Sequence, residues 1–304
     1  IDRLIAYKPL VDEAIELAEH KPKKVIVLNR KLGARIPFKK YDVDYDALVY
    51  GSEEVDCVSV SGKHPLYVLY TSGTTGKPKG VGVTHGNVAH STCARLDYYQ
   101  TRASSFLLLS SIAFDSSVAG IFGTLCQGSR LVLSTEDAVL DPDTLVQIIS
   151  AYQISHLLTV PSLYEEILQK ISYKKGNGLK QIIVAGEPCR KNLVELHDIH
   201  LPQVELFNEY GPTETTVWSS VYQCNKANDH VIPIGRPIPN TQIYLLDMQW
   251  NPVPVGVIGE LYIGGEGLTR GYLNRADVTA ECYIPNLFDH AGSRLYRTGD
   301  LARY

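Results

Sequence analysis

A regular alternation of short apolar runs and longer amphipathic segments between residues 66 and 207 is the feature that most restricts the fold. The strand-like runs lie at 66–71, 104–110, 129–134, 155–160, 180–185 and 204–207. The helical segments between them lie at 87–99, 141–152 and 161–171. Strands separated by helices of about ten to fifteen residues are typical of a largely parallel sheet. The pattern therefore predicts an α/β fold.

The chain is less regular on either side of this region. Before it we predict, in order, a helix at 9–20, a strand at 24–28 and a polar, irregular connection at 29–63. After Ile232, Pro and Gly become frequent, and we predict two short strands and a helix, at 242–246, 259–264 and 276–282. We expect three parts: a flanking segment at 1–65, a sheet-and-helix core at 66–231 and an antiparallel or barrel-like β-rich subdomain at 232–304.

The composition is that of an ordinary soluble globular protein, with 44% hydrophobic and 20% charged residues in a chain of 304. A formal net charge of −4 gives no reason to expect nucleic acid or an anionic membrane as a partner. The apolar runs are shorter than the roughly 20 residues that a membrane helix requires. Six cysteines without a CxxC pair suggest reduced thiols rather than zinc ligands, and we expect a cytoplasmic protein.

Residues 67–80 combine an apolar strand-like run with a dense block of hydroxyl residues, glycines and lysines. Glycines let the backbone approach an anion closely, while Ser and Thr hydroxyls and backbone N–H groups donate hydrogen bonds to it. The lysines add positive charge. This stretch predicts a site for a polyphosphate, and the alternative is a surface hairpin with an incidentally basic tip.

The stretch does not match the common nucleotide-binding P-loop. In that motif the lysine is followed directly by a Ser or Thr that binds Mg²⁺. Here Lys77 is followed by Pro78, which has no N–H and does not fit inside a helix. The sequence therefore disfavours a P-loop kinase or GTPase and predicts another kind of ATP site.

Several other polar clusters directly follow predicted strands, where an open α/β sheet presents its ligands. They are Phe114-Asp115, 185–188 and 208–216, and later motifs occupy 259–265 and 296–301. Asp115 taken alone is best interpreted as a helix N-cap. Tyr210 offers a stacking surface for a base, Glu214 a carboxylate for Mg²⁺, and Asp300 an acceptor for two ribose hydroxyls. Each signal is weak alone, and their joint presence is strong.

Taken together, these motifs resemble those of the adenylate-forming superfamily, which includes acyl-CoA synthetases, luciferases and the adenylation domains of non-ribosomal peptide synthetases. Five core motifs occur in order, at 70–80, 114–115, 208–214, 259–272 and 296–301. The resemblance implies the large N-terminal lobe of that fold, with parallel-rich sheets, flanking helices and a small distorted β-barrel. It covers about residues 66–304.

The resemblance also implies roles for individual residues at the nucleotide. The ATP phosphates would be handled by Thr71, Ser72, Gly73, Thr74, Thr75, Gly76, Lys77 and Lys79. Tyr210 would stack on adenine with Asn208 near its amino group, and Asp300 would hold the ribose. Glu214 would bind Mg²⁺. The remaining nucleotide contacts would be Gly186, Gly211 and Thr213, and the residues closest to the chemistry would be Thr71, Lys79, Thr213 and Glu214.

From residue 81 onward the chain resembles the peptide-synthetase branch. In that branch the aspartate at the Asp115 position pairs with the substrate α-ammonium group, which replaces the N-cap interpretation. The other pocket positions would be Ser116, Ala119, Thr159, Ile183, Ala185, Glu209, Val217 and Trp218. Three of these side chains are small, three form apolar walls, and Glu209 would accept a hydrogen bond. We expect a bulky, partly polar amino acid such as tyrosine.

The implied reaction is ATP- and Mg²⁺-dependent formation of an aminoacyl-AMP with release of pyrophosphate. The aminoacyl group would pass to the phosphopantetheine thiol of a carrier protein, next to condensation domains, in a larger synthetase. We expect no partner among nucleic acids or membranes.

Two departures from this family pattern leave alternatives open. Residues 1–80 resemble short-chain acyl-CoA synthetases of the acetyl or propionyl type, for which CoA would be the acceptor. Recombination, an assembly artefact that joins two genes, and ordinary divergence each account for the change at the phosphate stretch. The family's small C-terminal domain, which carries a lysine used in adenylation, is missing from the 304 residues. We therefore expect poor adenylation by this chain, and a truncated, non-catalytic nucleotide-binding module is a further alternative.

Overall fold

The computed structural model describes residues 16, 25–27, 40, 42–44, 59–71, 78–171, 178–224, 231–289 and 292–304. The chain divides into two compact units, residues 1–59 and 60–304. In the first unit, β1 (Val25–Val27) pairs in parallel with β2 (Asp42–Asp44). The predicted strand at 24–28 is confirmed, whereas the predicted helix at 9–20 lies outside the described residues except for Glu16, which is helical.

The second unit begins with a hairpin. Strand β3 (Pro65–Thr71) pairs antiparallel with β4 (Lys79–Thr84), and Thr71 lies opposite Lys79. The predicted strand at 66–71 is confirmed, but it forms a two-stranded antiparallel sheet with β4, so its predicted place in the parallel sheet is wrong. A second β-forming run, with Val81 and Val83 fully buried, follows so closely that the two strands pair with each other.

The central sheet has seven strands in the order β11-β10-β9-β8-β7-β5-β6. Five of them run parallel, namely β5 (Ser105–Leu108), β6 (Arg130–Leu133), β7 (His156–Thr159), β8 (Gln181–Ala185) and β9 (Glu205–Tyr210). Two antiparallel strands extend its other edge, β10 (Ser220–Gln223) and β11 (Arg236–Pro237). The predicted parallel sheet is thus confirmed, and its carboxyl edge collects the ends of adjacent strands.

Helices cover both faces of this sheet. They are α1 (His85–Tyr98), α2 (Ser116–Leu125), α3 (Glu136–Val139), α4 (Pro142–Ala151), α5 (Pro161–Lys170) and α6 (Lys191–His200). The predicted starts are confirmed for α4, where the Asp141 side chain accepts from the N–H of Asp143, and for α5, where Pro161 is the first residue. Helix α6 follows β8 and completes the alternation.

The strands alternate their side chains between two cores, as the period of two requires. One core takes Leu107, Leu157 and Ile182 from the strands, together with residues of α4, α5 and α6 such as Leu145 and Tyr164. The other takes Phe106, Leu108, Leu158, Ile183 and Phe207, together with Ala94 of α1 and Ala119 of α2. Strands β5, β7, β8 and β9 are therefore buried on both faces, which explains why their sequences are nearly continuous apolar runs.

The C-terminal part forms a four-stranded antiparallel sheet in the order β12-β13-β15-β14. Its strands are β12 (Thr241–Leu246), β13 (Gly259–Gly265), β14 (Tyr283–Pro285) and β15 (Arg294–Ala302), and α7 (Ala276–Cys282) precedes β14. The segment before α7 returns to the hairpin, where Val81 forms a bridge with Tyr272 and the N–H of Leu273 donates to Gly80 O. This return brings the motif at 259–272 next to the hairpin of β3 and β4.

Candidate active site

The hairpin of β3 and β4 contributes Thr71 and Lys79 to the candidate site. The other predicted phosphate contacts lie outside the described residues; they are Ser72, Gly73, Thr74, Thr75, Gly76 and Lys77. Thr71 closes β3 and is half-buried. Lys79 opens β4 and is 6% exposed, with its ammonium 5.1 Å from the centre of the Tyr272 ring. Lys79 is thus a buried lysine whose ammonium lies over an aromatic ring, rather than part of an exposed basic surface.

Asp115 lies in the connection between β5 and α2, at the N-cap position, and its side chain makes no capping hydrogen bond. Its Oδ2 atom is inaccessible to solvent and has no hydrogen-bond partner in the described part of the chain. Burial raises the pKa of Asp115 to about 6, although hydrogen bonds from Thr213 and from the Ser116 backbone act in the opposite direction. The carboxylate therefore retains an unused acceptor at the place where the sequence predicts the substrate ammonium.

Glu214 lies in a short 3₁₀ turn, Thr213–Thr215, directly after β9 and its Gly-Pro. It is buried, and its Oε1 atom accepts a hydrogen bond of 2.6 Å from the hydroxyl of Tyr272. The Tyr272 hydroxyl lies 3.5 Å from that of Tyr296, so two tyrosines from the later motifs surround the carboxylate. Burial and the negative charge of Glu214 raise the pKa of Tyr296.

Tyr210 and Asp300, expected at the adenine and the ribose, meet although they come from different motifs. The Tyr210 hydroxyl donates to Asp300 Oδ2 over 2.6 Å, and Asp300 is exposed. Burial, followed by this hydrogen bond, raises the pKa of Tyr210. Asn208 lies two residues earlier on β9, where its side-chain amide donates to Pro233 O.

The backbone after β9 is tightly folded. A Cβ atom on Gly211 would lie 2.4 Å from Trp218 Cα, so only glycine permits the close approach of these two segments. Thr216 and Val217 both adopt left-handed conformations, with φ of 63° and 78°. Such values are unusual for β-branched residues and carry strain, which is commonly found at functional sites. At the end of β8, Gly186 also has a positive φ, of 83°, in the predicted tight turn.

Further residues predicted to line the substrate pocket lie on α2, β7 and β8. Ser116 donates to the Ser110 hydroxyl, Ala119 and Ile183 face the same small cavity, and Ala185 ends β8. The Thr159 hydroxyl is buried without a hydrogen-bond partner among the described residues. Strands β8 and β9 place Ala185 directly opposite Glu209. The fold thus brings these positions to one region.

Glu209 is differently placed from the sequence interpretation, which treats it as a free acceptor for a polar substrate tip. It is 3% exposed, and its two oxygens accept hydrogen bonds from the Arg95 guanidinium at 2.6 and 2.8 Å. The Tyr99 hydroxyl also donates to Glu209. The carboxylate is therefore already neutralised within the protein, because a bidentate arginine and a tyrosine occupy it.

Trp218 completes this cluster. Its indole N–H donates to Ser91 O, its ring stacks on Tyr99 with centroids 5.8 Å apart, and the Arg95 guanidinium lies 4.4 Å from its ring centre. Trp218, predicted as an apolar wall of the pocket, thus also stabilises the position of the Arg95 guanidinium by a cation–π contact.

Sequence reasoning missed Arg95, Tyr99, Tyr272 and Tyr67. A signal for Arg95 was available, because it shares the buried face of α1 with Val88, Ser91 and Ala94, where an arginine requires an acidic partner. Tyr272 lies inside a recognised motif that suggested no role for its hydroxyl. The buried Tyr67 hydroxyl has no partner within the described ranges, and burial, followed by the charge of Asp115, raises its pKa.

The donor set fits a magnesium nucleotide. Mg²⁺ is commonly held by one or two carboxylates together with substrate phosphates, and the single buried carboxylate of Glu214 fits that requirement without a protein cage. The described residues contain no group of three or more His, Cys, Asp or Glu that could hold a metal ion. None of the helices within the described ranges is long and apolar enough to cross a membrane.

Comparison with known proteins identifies one family model, "AMP-binding enzyme", which matches residues 4–273. Bacitracin synthase 3 of Bacillus licheniformis is 44% identical over 239 residues, covering 78% of this chain and 4% of that protein. A linear gramicidin synthase of Brevibacillus parabrevis is 37% identical over 292 residues, covering 95% of this chain and 4% of that protein. Thus the chain spans a small fraction of these curated relatives.

A solved structure of the nonribosomal peptide synthetase FmoA3 is similar over 98% of this chain and 32% of that one, with a TM-score of 0.82 and 27% identity. An AMPPNP-bound form of the same synthetase gives a TM-score of 0.78 at 28% identity, over 88% of this chain and 29% of that one. The predicted fold class, the large lobe of the adenylate-forming fold, is confirmed. The family model and the gramicidin synthase relative both continue across residues 72–77. Recombination, an assembly artefact and ordinary divergence stay open as explanations for residues 1–80.

Proposed function

The chain belongs to the AMP-binding enzyme family, and on that premise we propose that it activates the carboxylate of an amino acid as an aminoacyl-adenylate. The observation that carries this proposal is the buried Oδ2 of Asp115, which has no hydrogen-bond partner among the described residues. An α-ammonium group would supply the missing partner as a charge-assisted hydrogen bond. Acetate and propionate have no such group, which favours the amino acid over the short-chain acid.

In the proposed reaction, an oxygen of the substrate carboxylate attacks the α-phosphorus of ATP. The bond from that phosphorus to the bridging oxygen breaks, and pyrophosphate leaves with the electron pair. Lys79 offsets phosphate charge, while Thr71 and Thr213 donate hydrogen bonds to phosphate oxygens. Glu214 would hold Mg²⁺, which supplies further positive charge when bound. No covalent intermediate with the protein is required, since positioning and electrostatic stabilisation supply the rate enhancement.

The nucleoside would be held on the exposed side of β9. Tyr210 stacks on the adenine, Asn208 lies near the base, and Asp300 accepts hydrogen bonds from the ribose hydroxyls. Gly186 and Gly211 allow the backbone to approach the nucleotide closely. The AMPPNP-bound form of the structurally similar FmoA3 supports a nucleotide role for this fold at the family level.

We further propose that the aminoacyl group passes to a carrier protein. The thiolate of a phosphopantetheine group attacks the acyl carbon, a thioester forms, and AMP leaves. The support is that the matched curated relatives are peptide synthases much longer than this chain, whose size leaves room for carrier and condensation domains. The substrate would be a bulky, partly polar amino acid such as tyrosine.

Substrate-dependent exchange between pyrophosphate and ATP tests the function on the whole protein, with all amino acids and with acetate and propionate. We expect exchange with amino acids alone, and Asp115→Asn should lower kcat/KM for the amino acid at least 100-fold. Asp97→Asn is the matched control, because Asp97 is exposed on α1 and should leave exchange unchanged.

The same assay separates the alternatives. Preferred exchange with propionate, unaffected by Asp115→Asn, would identify a short-chain acyl-CoA synthetase. Binding of ATP·Mg²⁺ in calorimetry without exchange for any acid would identify a non-catalytic nucleotide-binding module.

A further inference from the structure

A small cavity lies between α2 and the central sheet, next to the proposed substrate site. Its volume is about 40 Å³, and its lining includes Ala119 and Ile183, two of the expected pocket positions, together with Arg95 and Tyr99. Since a helix rises about 1.5 Å per residue, Ala119 lies about 6 Å beyond Asp115 along α2. This is the range over which the side chain of an amino acid anchored at Asp115 would extend.

Arg95 lines this cavity and links Glu209 of β9 to Trp218. It makes two hydrogen bonds to Glu209, at 2.6 and 2.8 Å, and its guanidinium lies 4.4 Å from the centre of the Trp218 ring. The side chains of Arg95 and Glu209 are only 8% and 2% exposed. The positive and negative charges therefore compensate each other inside the protein, where neither charge is stable alone.

Two uncharged polar atoms of residues that line the cavity lack a hydrogen bond within the described part of the chain. The Thr124 hydroxyl and the side-chain amide oxygen of Gln181 (Oε1) are buried without a hydrogen-bond partner among the described residues. The cavity has room for roughly three water molecules, and a polar wall of this kind suits waters or the polar tip of a side chain. The lining thus offers hydrogen bonds without offering net charge.

We propose that Arg95 is a specificity-determining residue, which keeps Glu209 in a neutral pair and restricts the pocket to uncharged side chains. The inference rests on the proposed amino acid activation. An acidic side chain would meet a guanidinium whose carboxylate partner is already in place, and a basic side chain would meet a carboxylate that Arg95 and Tyr99 occupy. Either charged side chain would lose its hydration without gaining an oppositely charged partner in the protein.

Breaking the pair from either side should change the selectivity in opposite directions. Glu209→Gln preserves the shape of the side chain but leaves the Arg95 charge uncompensated, so an acidic side chain gains a partner. Arg95→Met removes the cation and leaves the Glu209 carboxylate for a basic side chain. Arg95→Met combined with Glu209→Gln makes the end of the pocket neutral again, and buried ion pairs generally tolerate such joint replacement.

Pyrophosphate exchange with tyrosine, glutamate and lysine on the whole protein tests this inference. For the unmodified protein we expect kcat/KM for glutamate and lysine at least 100-fold below that for tyrosine. Glu209→Gln should raise the glutamate-to-tyrosine ratio at least tenfold, and Arg95→Met should do the same for lysine. The double variant should restore low ratios, and Arg102→Met, at an exposed arginine, should change none.

Ratios that stay within twofold in both single variants would overturn the inference. Where a single variant does not fold, the unmodified protein decides, since activation of lysine or glutamate within tenfold of tyrosine contradicts a neutral pocket. Absence of exchange with every amino acid has a different meaning, because the proposed function then fails and the inference falls with it.

Discussion

The hydroxyl of Tyr210 donates a 2.6 Å hydrogen bond to the carboxylate of Asp300, which lies 90 residues later in the sequence. Tyr210 ends β9, one of the two outermost of the five parallel strands, and Asp300 lies on β15 of the antiparallel sheet. The contact fixes the exposed carboxylate beside the edge of the tyrosine ring. A nucleoside that stacks on the ring would therefore present its ribose to the carboxylate.

Loss of the Tyr210 ring should weaken nucleotide binding more than loss of its hydroxyl. Tyr210→Phe keeps the stacking surface and frees Asp300, so the Kd for AMP should stay within about threefold. Tyr210→Ala should weaken binding by about 1–3 kcal/mol, the usual contribution of a base stacked on an aromatic side chain. Calorimetric titration with AMP measures both variants. Equal losses in the two would contradict a stacking role.

The buried Asp115 should make stability depend on pH in a defined window. Its pKa is raised from 3.8 to about 6, so between these values the folded state binds more protons than the unfolded state. The free energy of unfolding therefore falls as the pH rises from 4 to 6 and stays lower above it, by about 2–3 kcal/mol from this group. Asp115→Asn should lack this decrease.

Urea unfolding of the unmodified protein and of Asp115→Asn at pH 4, 5, 6 and 7 measures this effect. The difference between the two stabilities isolates Asp115 from the other titrating groups. Asp97→Asn should show the pH profile of the unmodified protein. A difference that does not change with pH would show that the Asp115 carboxyl is as well solvated in the folded state as in the unfolded one.

Tyr272→Phe should destabilise the protein, because it removes the 2.6 Å donor to the buried Glu214 carboxylate. Leaving a buried charged oxygen without its donor typically costs about 1–3 kcal/mol. Tyr262→Phe is a matched control, since Tyr262 donates to Glu260, a partly exposed carboxylate that also accepts from Arg297. We expect the control to lose less than about 1 kcal/mol. Denaturant unfolding compares the two, and equal losses would contradict a special role for Glu214.

Gln153→Gly should stabilise the protein. Gln153 follows the end of α4 with φ of 49°, and the next N–H, of Ile154, donates back to Ile149 O in the manner of a Schellman motif. Glycine adopts this left-handed conformation without the cost of about 1 kcal/mol that other residues carry. The expected gain is about 0.5–1 kcal/mol, since the flexibility of glycine in the unfolded chain offsets part of it. Gln153→Ala keeps the penalty and should show no gain in thermal unfolding.

The sequence predicted the parallel sheet because each central strand is buried on both faces and is bounded by helix starts such as Asp141 and Pro161. It did not predict the hairpin of β3 and β4. Periodicity identifies a strand but not its partner, and here the partner is the next run along the chain. The last strand, Arg294–Ala302, was not predicted, because Gly299 and the polar residues around it interrupt the apolar pattern of a strand.

At the site, the resemblance to the family predicted roles for residues inside the motifs. It did not predict which residues of different motifs contact each other. Asp300 beside Tyr210 and Tyr272 beside Glu214 depend on how the antiparallel sheet returns to the hairpin. Arg95 lies outside every motif. Its pairing with Glu209 joins a helix to a strand 114 residues later, which no local pattern encodes.

The pairing of Arg95 with Glu209 also has a consequence for the order of folding. Helix α1 can form from local contacts. Glu209 reaches its place beside Arg95 only after β9 has paired with β8, which requires the chain between α1 and β9 to fold first. Contacts of such large sequence separation form late, because chain entropy opposes them until the intervening structure exists. Interactions absent from the folding transition state act mainly on the unfolding rate. The buried ion pair should therefore prolong the lifetime of the native state while leaving the rate of folding nearly unchanged.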